Sequence, residues 1–305
     1  MKKVFALLLV LLLLLAGCGR DDGGETTATT RETEPVAETG LRVHFVDVGQ
    51  ADGAVIECDG EFAVIDAGYP ENGPQMVEYL QELGAESLQL VVGTHPHGDH
   101  IGGLPDVLDA FPVETLWTSQ IPYTNDYVRN FTDAAADRGV AVDQPKPGEE
   151  FQLGGATIRV IGPLGTEYED ANNLSLVLMV QYGQRRFLMT GDMEEYAEHE
   201  LLEAGVDLKA DVLKVGHHGS YSSTGYRFLR EVAPTYAVIS CGAANDYGHP
   251  HDVTMSRLQD ADTVIFRTDR MYTVIAECDG VDINFTWGNS FAQPWSPEFK
   301  MPEAA

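Results

Sequence analysis

Hydrophobic positions fall into short runs separated by glycine, proline and acidic turns, and the period of each run predicts an element. Arg42 to Val48 alternates as a strand, and Ala54 to Cys58 with Phe62 to Asp66 reads as a hairpin about Asp59-Gly60. Pro74 to Leu83 has helical spacing, with proline in its first turn and Gly84 beyond its end. Leu88 to Val92 reads as a buried strand, and Leu104, Val107 and Leu108 set a helix from Gly103 to Ala110. A strand at Glu114 to Thr118 and a helix from Tyr123 to Arg138 follow, then a loop at Pro145 to Gly148. Further strands are expected at Ala156 to Ile161, Leu176 to Tyr182, Arg186 to Met189, Val212 to Val215 and Thr235 to Ser240. Helices at Met193 to Ala204, Gly225 to Val232 and near Val253 to Gln259 separate them, before closing strands at Thr263 to Phe266, Met271 to Glu277 and Val281 to Phe285. Val55 to Gly60 is echoed by Val274 to Gly280, each with an Asp-Gly turn, as two half-domains contributing one sheet apiece would produce.

The start of the chain breaks this pattern. Lys2 and Lys3 precede an apolar run from Val4 to Ala16, too short to span a bilayer and suited to a secretory segment. Leu15-Ala16-Gly17-Cys18 resembles a bacterial lipobox, which implies removal of residues 1–17 and a lipid on Cys18. From 18 to 40 the chain is acidic and nearly free of apolar side chains, as a flexible tether would be. The folded domain is expected over 41–290, with a tail at 291–305.

Composition narrows the chemistry. A chain of 305 residues that is 44% hydrophobic can bury one large core or two small ones. Its formal charge of −29 makes the average surface repel phosphate polymers and anionic lipid. Action on nucleic acid then needs local positive charge, and bound metal ions are the natural supply. Four cysteines are too few for a disulfide framework, so Cys58, Cys241 and Cys278 are read as buried apolar residues.

Seven of the nine histidines lie in three clusters, 95/97/100, 217/218 and 249/251. The first follows the Leu88 to Val92 strand, where Pro96 pushes His95 into an extended conformation and Gly98 permits a sharp bend toward Asp99 and His100. Imidazole and carboxylate donors together suit zinc, and iron or manganese accepts the same mixture. Asp192 and the pair His217-His218 also stand where strands end.

His-x-His-x-Asp-His followed by Gly-Gly resembles the metal-binding motif of the metallo-beta-lactamase fold. The resemblance implies an α/β fold, a single-domain four-layer αββα sandwich, holding two divalent ions, zinc or manganese. In it His95 and His97 would serve the first ion, Asp99 and His100 the second, and Asp192 would bridge them. One of His217 and His218 would complete the second site; His217 is preferred, leaving His218 to contact substrate. Asp66 would accept a ligand histidine's other N–H. The family's hydrolytic members carry a further histidine before the bridging aspartate, and here no histidine lies between His100 and His199. Asn172-Asn173 stands near that place, so the first site is expected to be weak.

Asn172-Asn173-x-Ser175-Leu176-Val177-Leu178, Leu213-Lys214-Val215-x-His217-His218-Gly219-Ser220 and Tyr247-Gly248-His249-Pro250-His251 resemble the ComEC-type competence branch of that family, as does the opening His44 to Asp52. Teichoic acid phosphorylcholine esterases share a similar opening. This resemblance implies a phosphodiesterase or nuclease at the bacterial cell surface or in the periplasm, acting on DNA or a smaller phosphoester, and anchored to the membrane through Cys18; no protein partner is inferable. Two divalent ions, less the charges of Asp99, Asp192 and one hydroxide, leave about one positive unit for a singly charged diester. Water activated by the metals would attack phosphorus beside Asp99, and His218 or His251 would protonate the leaving alkoxide. His251 has an equally good use in the turn that starts the next helix. Asn173, Ser220 and His249 would contact substrate. Two alternatives remain, a hydrolase of wall or membrane phosphoesters and a non-catalytic lipoprotein with a degenerate site.

Overall fold

The computed structural model describes residues 40–121 and 124–288. The expected secretory segment, Cys18, the tether as far as residue 39, the tail from 291 and the helix start at Tyr123 lie outside the described residues.

Alternating apolar positions build two sheets. The first contains β1 (Leu41–Phe45), β2 (Gly53–Cys58), β3 (Glu61–Ala67), β4 (Leu88–Gly93), β5 (Val113–Thr118), β6 (Val142–Asp143), β14 (Thr273–Cys278) and β15 (Ile283–Gly288). Its order is β15-β14-β1-β2-β3-β4-β5-β6. The second contains β7 (Glu150–Leu153), β8 (Ala156–Gly162), β9 (Val177–Tyr182), β10 (Arg185–Met189), β11 (Val212–Lys214), β12 (Tyr236–Ile239) and β13 (Val264–Arg267). It is ordered β13-β12-β11-β10-β9-β8-β7.

The layers follow from which face each side chain buries. Leu41, Val43 and Phe45 of β1 meet Ile158, Val160 and Phe187 of the other sheet in a core between the sheets. Val64 and Val91 point the other way, onto Met76 and Leu80 of α1 (Gly73–Glu82) and Leu104 of α3 (Leu104–Ala110). Phe131 of α4 (Asp126–Asp137) joins that cluster. Leu213 and Ala237 of the second sheet pack on Leu201 of α5 (Glu195–Glu203), Phe228 of α6 (Tyr226–Val232) and Leu258 of α7 (Asp252–Asp260). Each large side chain so buried contributes about 1.5–3 kcal/mol. Helix, sheet, sheet and helix are the four layers expected.

Several boundaries differ for local reasons. Among the described residues the fourth helix begins at Asp126, because the Asn125 side chain accepts the Val128 N–H and caps it there. Strands β6 and β7 were not expected, since Val142-Asp143 and Glu150–Leu153 bury few residues at the sheet edges. A short helix, α8 (Thr268–Met271), takes Met271 out of the expected strand. The echoed hairpins do not supply one sheet each: both lie in the first sheet, on either side of β1, with Leu41 opposite Cys58 on one flank and Cys278 on the other. Two strand spacings put those cysteines roughly 9–10 Å apart, out of disulfide range, and both are buried free thiols. No helix among the described residues is long and apolar enough to cross a membrane.

β3, β4 and β5 run parallel, as do β10, β11, β12 and β13. Loops at the carboxyl ends of such strands form a crevice, and the clustered histidines and aspartates sit in those loops.

Candidate metal centre

Beyond β4, His97 caps a one-turn helix, α2 (Gly98–Ile101), in extended conformation at φ −87°, ψ 152°. The bend brings His97 Nδ1 to 3.0 Å from His95 Nε2. Glycines let the turn lie flat on its neighbours. A Cβ on Gly103 would stand 2.2 Å from the Ala67 carbonyl oxygen, and the Gly103 N–H donates to Gly68 O at 2.9 Å. That contact holds α2 against the end of β3, where Asp66 adopts φ 59°. Asp66 accepts the Thr94 N–H at 2.8 Å and hydroxyl at 2.7 Å. Its Oδ2 also lies 2.9 Å from His100 Nδ1, so His100 turns Nε2 toward the crevice.

The second sheet supplies the rest. Asp192 follows β10, its N–H donating to Ser175 Oγ at 3.0 Å, and its Oδ2 lies 3.2 Å from His100 Nε2. After β11, His217 and His218 both have left-handed backbone, φ 47° and 53°, which sends adjacent imidazoles to different places. His218 points inward, with Nδ1 3.0 Å from Ser240 O and Nε2 3.4 Å from Asp99 Oδ2 and 3.6 Å from Asp192 Oδ2. His217 stays on the wall, with Nδ1 3.0 Å from Glu194 Oε1 and Nε2 3.8 Å from Asp192 Oδ2.

Donor atoms of Asp99, His100, Asp192 and His218 all lie within 4.8 Å of one another. His100 Nε2, His218 Nε2 and Asp192 Oδ1 are buried with no hydrogen bond. Buried polar atoms left without partners cost several kcal/mol, and an ion held by Asp99, His100, Asp192 and His218 would satisfy both imidazoles with a donor set that zinc and manganese accept. His95 and His97 stand beside this group, with His95 Nε2 3.9 Å from Asp192 Oδ2. Asn172 lines the same crevice, its Nδ2 3.5 Å from Glu194 Oε1, and its Oδ1 is buried without a hydrogen bond.

Charge follows the same division. Burial opposes a charged His100, yet Asp192, Asp66 and Asp99 hold its pKa well above the usual imidazole value. Against the same burial, Asp192 and Asp52 bring His218 up to about 10. Burial works against ionised Asp192 too, but His100 and His218 keep it well below the carboxylate range. His95 is pushed well below the imidazole value by burial and then by His100. One half of the centre therefore draws a cation, and the other offers a neutral imidazole.

Not every expected residue takes its expected place. His218, rather than the preferred His217, converges with Asp99, His100 and Asp192, because the left-handed turn at both residues reverses their order of approach. His251 caps α7, its Nδ1 accepting the Tyr221 N–H at 3.1 Å, and it is not among the residues lining the crevice. Asn173 is turned away from the crevice: its Oδ1 accepts the N–H groups of Glu194 and Ala197 at the start of α5. Ser220 pairs with Ser222, Oγ to Oγ at 2.9 Å, within its own loop. His249 does line the crevice, with Gln50, Tyr69 and Tyr247. Sequence reading gave no site role to Glu194 or Gln50, and placed Tyr247 and Asp52 only within motifs. Asp52 in fact lies 3.2 Å from His218 Nδ1 and 2.6 Å from the ammonium of buried Lys214.

An open cleft of about 480 Å³ lies over the centre. The metallo-beta-lactamase superfamily profile matches residues 46–243. ComE operon protein 3 of Bacillus subtilis is 34% identical over 199 residues, 65% of this chain and 26% of that protein. Recombination protein 2 of Haemophilus influenzae is 33% identical over 223 residues, 71% of this chain and 26% of that protein. The chain thus spans about a quarter of the length of these curated relatives. Among solved structures, the metallo-beta-lactamase fold protein YhfI from Bacillus subtilis superposes with a TM-score of 0.52 at 11% identity, covering 77% of this chain and 99% of that one.

Proposed function

Because the chain belongs to the metallo-beta-lactamase superfamily, on its ComEC-like competence branch, we propose that this metal-dependent hydrolase cleaves phosphodiesters, DNA first among them. The observation that carries the reading is the trio of orphaned atoms, His100 Nε2, His218 Nε2 and Asp192 Oδ1, beneath an open cleft. His100, His218, Asp99 and Asp192 would hold one divalent ion, and His95 and His97, sharing Asp192, a weaker second. A divalent ion there supplies Lewis acidity toward a phosphoryl oxygen and lowers the pKa of water to roughly 7. Asn172-Asn173 stands near the place where lactam hydrolases of the family carry a histidine, and the missing imidazole favours phosphoesters over lactams.

The protein's own groups then manage the proton. Glu194 fixes His217 through Nδ1, which leaves its Nε2 facing the cleft beside Asp192. An imidazole so held is placed to protonate a leaving alkoxide. In this assignment His217 and His218 exchange the roles that sequence alone preferred. The site would work outside the cytoplasm, the chain held to the membrane by a lipid on Cys18.

Purified protein supplied with zinc or manganese should cleave bis-p-nitrophenyl phosphate and single-stranded DNA, and Asp192→Ala should abolish both while its circular dichroism is kept. Full activity in that variant sinks the reading. His218→Ala should lower metal content measured by elemental analysis, whereas His217→Gln should lower kcat with metal content kept; the reverse pattern would reinstate His217 as ligand.

A further inference from the structure

Three near-parallel rings lead away from the metal centre. His218 and His249 have centroids 6.2 Å apart at 27°, and His249 and Tyr247 follow at 5.6 Å and 24°. Tyr247, at the outer end, is 62% exposed although its ring lines the cleft. An exposed aromatic face usually sits on a mobile loop, but this one is braced. Asn245 Oδ1 accepts the N–H groups of Tyr247 and His249, at 3.2 and 3.0 Å, and its Nδ2 donates to Gly242 O and His249 O at 2.9 and 2.7 Å. Gln50 ties the same loop to the opening strand region through Gly242 N–H at 3.0 Å and His249 Nδ1 at 3.2 Å. Six hydrogen bonds from two amide side chains thus fix an open π face beside the hydrolytic centre.

Charge says what that face serves. None of the ten residues lining the cleft is Lys or Arg, and the chain carries −29 overall. A polyanionic substrate cannot be gathered here by a row of cations, the usual source of affinity for a phosphate backbone. Stacking is the remaining term that does not depend on charge, and it is worth roughly 1–3 kcal/mol per base. A flat stack with one free face matches a planar ring, whereas a quaternary ammonium is held by a cage of several aromatic faces.

Resting on the phosphodiesterase reading above, we infer that Tyr247, backed by His249, is a base-stacking subsite for the nucleotide beside the scissile phosphate, which makes single-stranded nucleic acid the substrate class. Duplex bases are already stacked and cannot offer a face to the ring without leaving the helix.

The test compares oligothymidylate with an abasic strand of the same length and charge, using manganese-supplemented protein and the variants Tyr247→Ala and Tyr247→Trp. In the unaltered protein KM should be at least about fivefold lower for thymidylate. Tyr247→Ala should bring the KM ratio close to one and Tyr247→Trp should restore it, with kcat moving less than KM. KM should also change less than tenfold between 50 and 200 mM salt, against roughly 300-fold for a surface reading six single-strand phosphates with cations. Cleavage of both strands with equal KM, a preference that survives Tyr247→Ala, or a steep salt dependence overturns the inference and leaves the phosphodiesterase reading standing. So does a Tyr247→Ala effect confined to glycerophosphocholine. Failure to cut either strand or bis-p-nitrophenyl phosphate overturns both.

Discussion

Lys214 is 3% exposed and sits under the metal centre with its ammonium 2.6 Å from Asp52 and 3.0 Å from Val215 O. The Asp52 carboxylate is buried, and burial alone would raise its pKa, but Lys214 and then His218 hold it below the usual value. Lys214→Met removes the cation and strands that carboxylate, which should cost about 3–5 kcal/mol. Urea denaturation checks it, and Lys214→Met/Asp52→Asn should recover most of the loss; a fully stable single variant would show that the pair is not a structural tie. At this scale the sequence was legible where ligands cluster locally. His95, His97, Asp99 and His100 fall within six positions, and Asp192 follows an apolar strand. Asp52, Lys214 and Glu194 were opaque because each is a lone charge whose partner comes from a distant loop, 162 residues along the chain for Asp52 and Lys214. Choosing between His217 and His218 needed the sign of φ, which spacing does not encode.

Helix placement depends on glycine at one junction, where α2 passes into α3 with Gly103 against the Ala67 carbonyl. A methyl group there would lift the turn from β3 and pull His100 off Asp66. Gly103→Ala should therefore weaken metal binding as well as stability, and calorimetric titration with zinc measures the first; unchanged affinity would separate the junction from the site. Elsewhere the start of α6 is capped by Glu198, 2% exposed, which accepts the N–H groups of Thr224 and Gly225. Burial raises its pKa to about 7 from 4.5. The sign follows: the fold prefers neutral Glu198, so its contribution is complete below pH 4.5 and fades as pH rises through 7. Relative to Glu198→Gln, the unaltered protein should lose stability across that interval, by up to about 3 kcal/mol, and melting curves at successive pH values would reveal it. A constant difference would mean that the two N–H donors keep the carboxylate ionised. Elements with a clear apolar period, such as β1 to β4 and α1, were readable from the chain. Edge strands β6 and β7 were not, because two to four residues carry too little periodicity to register.

For the whole molecule, Asp99 and His100 from the first sheet meet Asp192 and His218 from the second, so occupied metal should act as a clamp between layers. Chelation followed by dialysis should lower Tm by roughly 5–10 °C relative to protein holding zinc at a hundred times its Kd. Equal melting temperatures with and without metal would show that the layers do not need it. The layered architecture was foreseeable from motif resemblance, while the seating of the twin hairpins was not. Chance similarity and true internal duplication look alike over seven residues, and only the pairing of Leu41 with both Cys58 and Cys278 separated them.

That pairing also decides how the protein resists being pulled apart. β1 opens the described fold, hydrogen-bonded on both flanks, and Gly288 leaves β15 beside Thr273, at the far end of the ladder from Leu41. Traction between residue 40 and residue 288 would load those ladders lengthwise, many bonds together rather than one after another. A protease or translocating motor that seizes the leading end would meet its greatest resistance at the first strand.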